Sequence, residues 1–185
     1  MNRMERQKAR LLALVVLYLC MIGAAFRLYL LYRYGSVEDL LFIIKPVAFL
    51  VEKALGIRFY YDQDLGFVSQ QGNVVINQAC SGIRFWIAVY CMLGFSFVSR
   101  VKSIGKKYMM TFGFILFSYG ITIFANASRI ITAIGILNLA IVESTTSERF
   151  LHQSIGVLFY WIYLCIIYVL FEKLIRKEGK YEKAV

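Results

Sequence analysis

Four apolar runs constrain this chain more than any other feature: roughly 11–33, 79–99, 108–126 and 153–172. An α-helix needs about 20 apolar residues to cross the hydrocarbon of a bilayer. Each run is near that length. Of 185 residues 60% are hydrophobic, and a soluble domain could not cover so much apolar surface. The expected fold is an all-α polytopic membrane protein with about four transmembrane helices, forming a single membrane domain over 1–185. Two further apolar runs, 40–51 and 130–142, are too short to span, and the first contains Lys45 and the only proline, Pro46. They are expected as short outer interfacial or re-entrant helices.

The opening MNRMERQKAR followed by an apolar run could pass for a signal peptide. The run from Leu11 to Tyr34 is longer than a signal core, contains Arg27 and is followed by no small-x-small cleavage site. It reads as an uncleaved first span.

The net charge is +10, and its placement sets the topology. Three clusters hold 13 of the 21 Lys and Arg: Arg3, Arg6, Lys8 and Arg10; Arg100, Lys102, Lys106 and Lys107; Lys173, Arg176, Lys177, Lys180 and Lys183. The positive-inside rule makes all three cytoplasmic, including the termini 1–10 and 173–185. Four crossings satisfy this; counting one short run as a fifth span does not. Seven of the 11 acids then lie outside: Glu38, Asp39, Glu52, Asp62, Asp64, Glu143 and Glu148. Outside too lies RFYYDQDLGFVSQQGNVVIN, residues 58–77. Its strand-like runs at Phe67–Val68 and Val74–Ile76, joined by Gln-Gly-Asn, predict a small outer β-hairpin.

Polar residues within this frame sort by depth. Cys20, Cys91 and Cys165 fall near mid-span, where cysteine packs as a small hydrophobe. Cys80 begins its span at the outer boundary, among Ala79, Ser81 and Gly82. Cys91 stands about 16 Å deeper along a helix, which argues against a disulfide between them. The only histidine, His152, opens the last span, with Gly156 one turn later. By itself it reads as an interfacial or capping residue. Arg129 follows the third span in FANASRI, with Asn126 three residues before it. Alone it reads as a snorkelling side chain, as do Arg27, Arg33 and Arg84. Arg84 lies one turn from Cys80, and on a continuous helix it would face the thiol and lower its pKa.

Topology thus puts a cysteine, an arginine and the sole histidine at one membrane face, each at the end of a different crossing. A thiolate is the nucleophilic form of cysteine, an imidazole moves protons near neutral pH, and a guanidinium stabilises a thiolate or a developing oxyanion. These are the parts of acyl transfer through a thioester. One histidine and scattered thiols make no metal site, so no metal or cofactor is expected. No glycine-rich phosphate loop and no soluble basic face for nucleic acid is present.

Ala79-Cys80-Ser81-Gly82-Ile83, then Asn126-x-x-Arg129, then His152 with Gly156, resemble the exosortase/archaeosortase family, most of all its short, K-type members. The resemblance covers roughly residues 40–170. It implies a membrane cysteine transpeptidase with Cys80 as nucleophile, His152 as general acid/base and Arg129 as oxyanion or thiolate stabiliser. The i, i+3 spacing suggests that Asn126 orients Arg129. The implied partners are exported proteins carrying a C-terminal motif, a transmembrane helix and a basic tail, met at the extracytoplasmic face of the cell membrane and in contact with its lipid. Two other readings compete. One is a membrane cysteine peptidase trimming signalling peptides on the cytoplasmic side, which the outward place of Cys80 opposes. The other is a non-enzymatic structural or transport subunit, which the lack of an acidic partner for Arg27 at mid-membrane opposes.

Overall fold

The computed structural model describes the backbone of residues 3–101, 103–139 and 145–181; side chains are described there except at 3, 6, 137–139, 145–155 and 177–181. Among the described residues there are five α-helices: α1 (Arg3–Tyr34), α2 (Leu41–Leu55), α3 (Ile83–Phe97), α4 (Ile104–Leu139) and α5 (Thr145–Tyr181). Among the described residues four stretches are long and apolar enough to cross a membrane: Gln7–Tyr34, Gln78–Arg100, Ile104–Ile136 and Gly156–Arg176. They coincide with the four long apolar runs. The chain is an all-α polytopic membrane protein with a small sheet.

The short run 40–51 forms a helix of its own, α2. The run 130–142 does not: its residues to 139 continue α4 without a break, and 140–142 lie outside the described residues. No proline lies between Asn126 and Leu139, and the single Gly135 costs only about 1 kcal/mol in a helix interior, so hydrogen bonding propagates through it. Arg129 therefore sits inside a helix and not after one.

The expected hairpin is present and carries an extra strand. Strands β1 (Phe59–Asp62), β2 (Gly66–Ser69) and β3 (Val75–Ile76) form an antiparallel sheet in the order β1-β2-β3, with Phe67 opposite Ile76 and Tyr60 opposite Val68. Aromatic residues in FYYD favour a pleated strand, although the segment lacks clean alternation. Tyr61 on β1 titrates above its ordinary range, chiefly through burial and then through the carboxylates of Glu38 and Asp62.

By compactness the chain divides into Met1–Ala127 and Ser128–Val185. In the first unit, α3 is the centre: 61% of its apolar window is buried, against 17% for α1. Ile83, Val89, Leu93 and Phe97 of α3 are fully covered, as are Ile43, Ile44, Val47 and Val51 of α2. Cys91 is half-buried on α3, whereas Cys20 and Cys165 occupy exposed helix faces and contribute nothing to the core.

A proline links three helices of this unit. Pro46 lies inside α2 and has no N–H, so the carbonyl four residues back, that of Phe42, lacks its helical donor. Tyr119 on α4 supplies one: its hydroxyl donates to Phe42 O at 2.6 Å. The Tyr119 ring packs on Trp86 of α3 and on Phe42, with centroids 5.2 and 6.3 Å apart. The Trp86 indole N–H donates to the buried Ser118 hydroxyl at 2.9 Å. Each aromatic pair contributes about 0.5–1.5 kcal/mol beyond its area. The result is a fixed spacing of α2, α3 and α4 beneath the segment that holds Cys80.

Candidate active site

Cys80 is not on α3. It ends a 3₁₀ turn, Gln78–Cys80, which is bracketed by two residues of special geometry. Asn77 is extended, and its side-chain oxygen accepts from the Ala79 N–H at 3.0 Å. Gly82 is left-handed, with φ 73°, and α3 starts only after it. An L side chain at Gly82 would be strained by that φ. Its Cβ would also lie 3.1 Å from Thr122 Cγ2 and 3.2 Å from Asn126 Cγ, so the glycine lets α4 approach the turn. Within the turn the Cys80 N–H donates to Asn77 O at 2.9 Å and the Ser81 N–H to Gln78 O at 3.1 Å.

Two side chains fasten the turn from outside. The Gln78 amide donates to the Tyr32 carbonyl near the end of α1. Asn126, fully buried on α4, donates from Nδ2 to the carbonyl of Cys80 itself. The structure thus joins Asn126 to the backbone of the cysteine, a contact the sequence reading did not anticipate in assigning it to Arg129. Cys80 remains half-exposed, and an open pocket of about 430 Å³ runs up to Ala79, lined also by Tyr32, Arg33, Asp64, Asn77 and Gln78.

Arg84 does not share a continuous helix with Cys80, because the left-handed turn at Gly82 separates the 3₁₀ turn from α3. Arg84 is exposed, and its guanidinium stacks on the Tyr32 ring at 4.8 Å.

Arg129 belongs to the second unit. Its side chain is only 7% exposed, which rules out snorkelling along the helix to water. The guanidinium lies 5.6 Å from the centre of the Tyr160 ring on α5. It also fills the notch left by Gly156, where an added Cβ would meet Nη1 at 3.1 Å. Beside it the hydroxyls of Ser128 and Tyr163 are 3.1 Å apart. Gly156 was singled out in sequence as a place of close helix contact, and the contact is with Arg129. Tyr160 was missed, although its i+4 spacing from Gly156 puts it on the same face. The backbone of His152 is part of α5, but its side chain lies outside the described residues. Among the described residues no three His, Cys, Asp or Glu side chains gather as a metal-ligand set.

The model of the transmembrane exosortases matches residues 3–169, nearly the whole chain. The chain belongs to the transmembrane exosortase family. Neither the curated proteins nor the solved structures contain a match to it. Exosortases are membrane sorting enzymes, and the four apolar helices make this one a multi-pass membrane protein. The exosortase match covers the Cys80 turn, Asn126, Arg129, Gly156 and Tyr160.

Proposed function

We propose that the protein is a cysteine transpeptidase that cleaves the C-terminal sorting signal of exported proteins at the extracytoplasmic face of the cell membrane. The observation that carries this reading is the buried Arg129. Withdrawing a guanidinium from water costs several kcal/mol. A chain free to let it snorkel would do so, and here an aromatic face and a glycine notch hold it in place. Such a cost is expected where a fixed cation has work to do.

In this reading His152 takes the proton of the Cys80 thiol, and the thiolate attacks the scissile carbonyl. A C–S bond forms and the carbonyl π pair moves to oxygen, where Arg129 donates to it. Collapse restores the carbonyl and breaks the C–N bond. The leaving amine takes the proton from His152 and departs with the substrate's helix and basic tail. The thioester left on Cys80 is then resolved by an acceptor bearing an O–H or N–H, which returns a proton to His152. Asn126 holds the Cys80 backbone so that the sulfur meets the carbonyl at one position.

Mass spectrometry of the Cys80 peptide, from cells co-expressing a substrate with motif, helix and basic tail, tests the proposal. A hydroxylamine-sensitive adduct with the substrate's N-terminal fragment is expected, absent in Cys80→Ser and slow to form in His152→Ala. Normal cleavage by Cys80→Ala would refute the thioester mechanism. The membrane face is tested separately: an impermeant thiol reagent on intact cells should label the wild type more than Cys80→Ala.

A further inference from the structure

Among the described residues α2 is the one α-helix outside the four spans, and its two faces differ sharply. Ile43, Ile44, Val47 and Val51 are fully covered by the protein. Phe42, Lys45, Phe49 and Lys53 are exposed. At about 3.6 residues per turn these four positions fall within about 80° of the helix circumference and run for about 16 Å along it. They form one stripe in which rings and cations alternate.

Such a stripe fits neither water nor hydrocarbon. An exposed ring gains from leaving water, whereas an ammonium is costly among acyl chains. The boundary between chains and headgroups suits both, because lysine stems run along apolar surface and carry the charge to the phosphates. The stripe also continues a surface that lipid covers. The Phe42 ring lies 6.3 Å from that of Tyr119 on a spanning helix, and Leu116 and Phe117 of that helix are exposed. The cations are uncompensated: among the described residues neither lysine forms an ion pair, and Lys53 Nζ lies 5.6 Å from the centre of the Phe49 ring. Glu52, the acid beside Lys53 in sequence, stands about 100° away around the helix axis. Finally, α2 follows the end of α1 to which Gln78 is fastened, which puts it on the membrane side of the Cys80 turn.

We propose that Phe42, Lys45, Phe49 and Lys53 form a docking surface for anionic phospholipid headgroups, with the rings among the upper acyl chains and the lysines on the phosphates. Phe42 is also the residue whose carbonyl accepts from Tyr119, so the lipid contact and the spacing of α2, α3 and α4 meet at one residue. The inference does not depend on which reaction Cys80 performs.

The experiment puts the photoreactive p-benzoylphenylalanine in place of Phe49 in the full chain. The protein is reconstituted in vesicles of equal parts phosphatidylglycerol and phosphatidylcholine with acyl chains of different mass. After irradiation, mass spectrometry identifies the adducts on the peptide that carries the probe. Phosphatidylglycerol adducts should exceed phosphatidylcholine adducts by about fivefold or more, the worth of one lysine near an anionic surface. Lys45→Gln with Lys53→Gln should bring the two lipids close to parity while lipid adducts persist, and Lys45→Arg with Lys53→Arg should keep the preference. Parity with both lysines in place overturns the proposal, as does a preference that survives the double Gln change. Crosslinks to a second copy of the chain in place of lipid overturn it too, because the face is then a protein interface.

Discussion

The chain fixes two polar groups, and the contacts described at each differ. Around Cys80 the work is done by hydrogen bonds to the main chain: Asn77 to Ala79 N–H, Gln78 to Tyr32 O, Asn126 to Cys80 O. Around Arg129 surfaces take part: the Tyr160 ring on one side and the bare Cα of Gly156 on another. A short side chain such as cysteine has little freedom of its own, so fixing its backbone fixes its sulfur. Arginine has four rotatable bonds, and fixing its backbone would fix nothing at the guanidinium. Its head must be gripped where it lies, and a flat, delocalised cation suits a flat ring.

The largest effect expected from this contrast is at Arg129. Lysine keeps the charge but loses the planar fork that the ring and notch are shaped for. Arg129→Lys should reach the membrane at the normal level and lose substrate processing by about 100-fold, the scale of one lost oxyanion donor. Processing close to wild type would reduce Arg129 to a structural cation. Next comes Asn126→Asp, which replaces the donor to the Cys80 carbonyl by a carboxylate oxygen and so breaks the main-chain grip. Processing should fall roughly tenfold or more, since small displacements of a reacting atom are costly. Gel-based cleavage assays on matched protein levels would read both changes. If Asn126→Asp proves silent, the turn is held well enough without α4.

A smaller effect, on stability, is expected from Tyr119→Phe. It removes the donor to the Phe42 carbonyl and should cost about 1–3 kcal/mol. Pro46→Ala gives that carbonyl a helical N–H in its place, so the two changes together should cost less than their sum. A double-mutant cycle on thermal unfolding in detergent measures the coupling, and simple additivity would remove the proposed link. Smallest is Arg84→Lys, which keeps a cation near the Tyr32 ring and should leave processing within about twofold of wild type. A loss larger than that of Arg129→Lys would mean the roles of the two arginines have been exchanged.

What the sequence made legible was whatever depends on length, period and charge. Four spans follow from four apolar runs, because a bilayer accepts few alternatives to a helix of that length. The β2–β3 hairpin follows from two apolar stretches flanking Gln-Gly-Asn. The short motifs around Cys80, Arg129 and His152 pointed to the family that the match over residues 3–169 establishes. Helix boundaries were read less well. Cys80 was placed at the start of a helix that begins at Ile83, because a glycine before a helix does not announce whether its φ will be positive. Arg129 was placed after a helix that continues to Leu139, because a break was inferred from charge counting and not from any helix-breaking residue.

By itself, then, the sequence determined the class of fold, its span number and the identity of the chemical groups, since these depend on local hydrophobicity and residue type. Partnership was left to tertiary structure. Only the packing of α4 against the 77–82 turn makes Asn126 a ligand of the Cys80 backbone, and only the approach of α4 residues to Gly156 makes a notch into a grip for Arg129. Pro46 and Tyr119 are 73 positions apart in the chain, and nothing in either residue's neighbourhood names the other. A carbonyl deprived of its helical donor accepts whichever hydroxyl the fold delivers, and that delivery depends on how three helices pack, not on any local pattern.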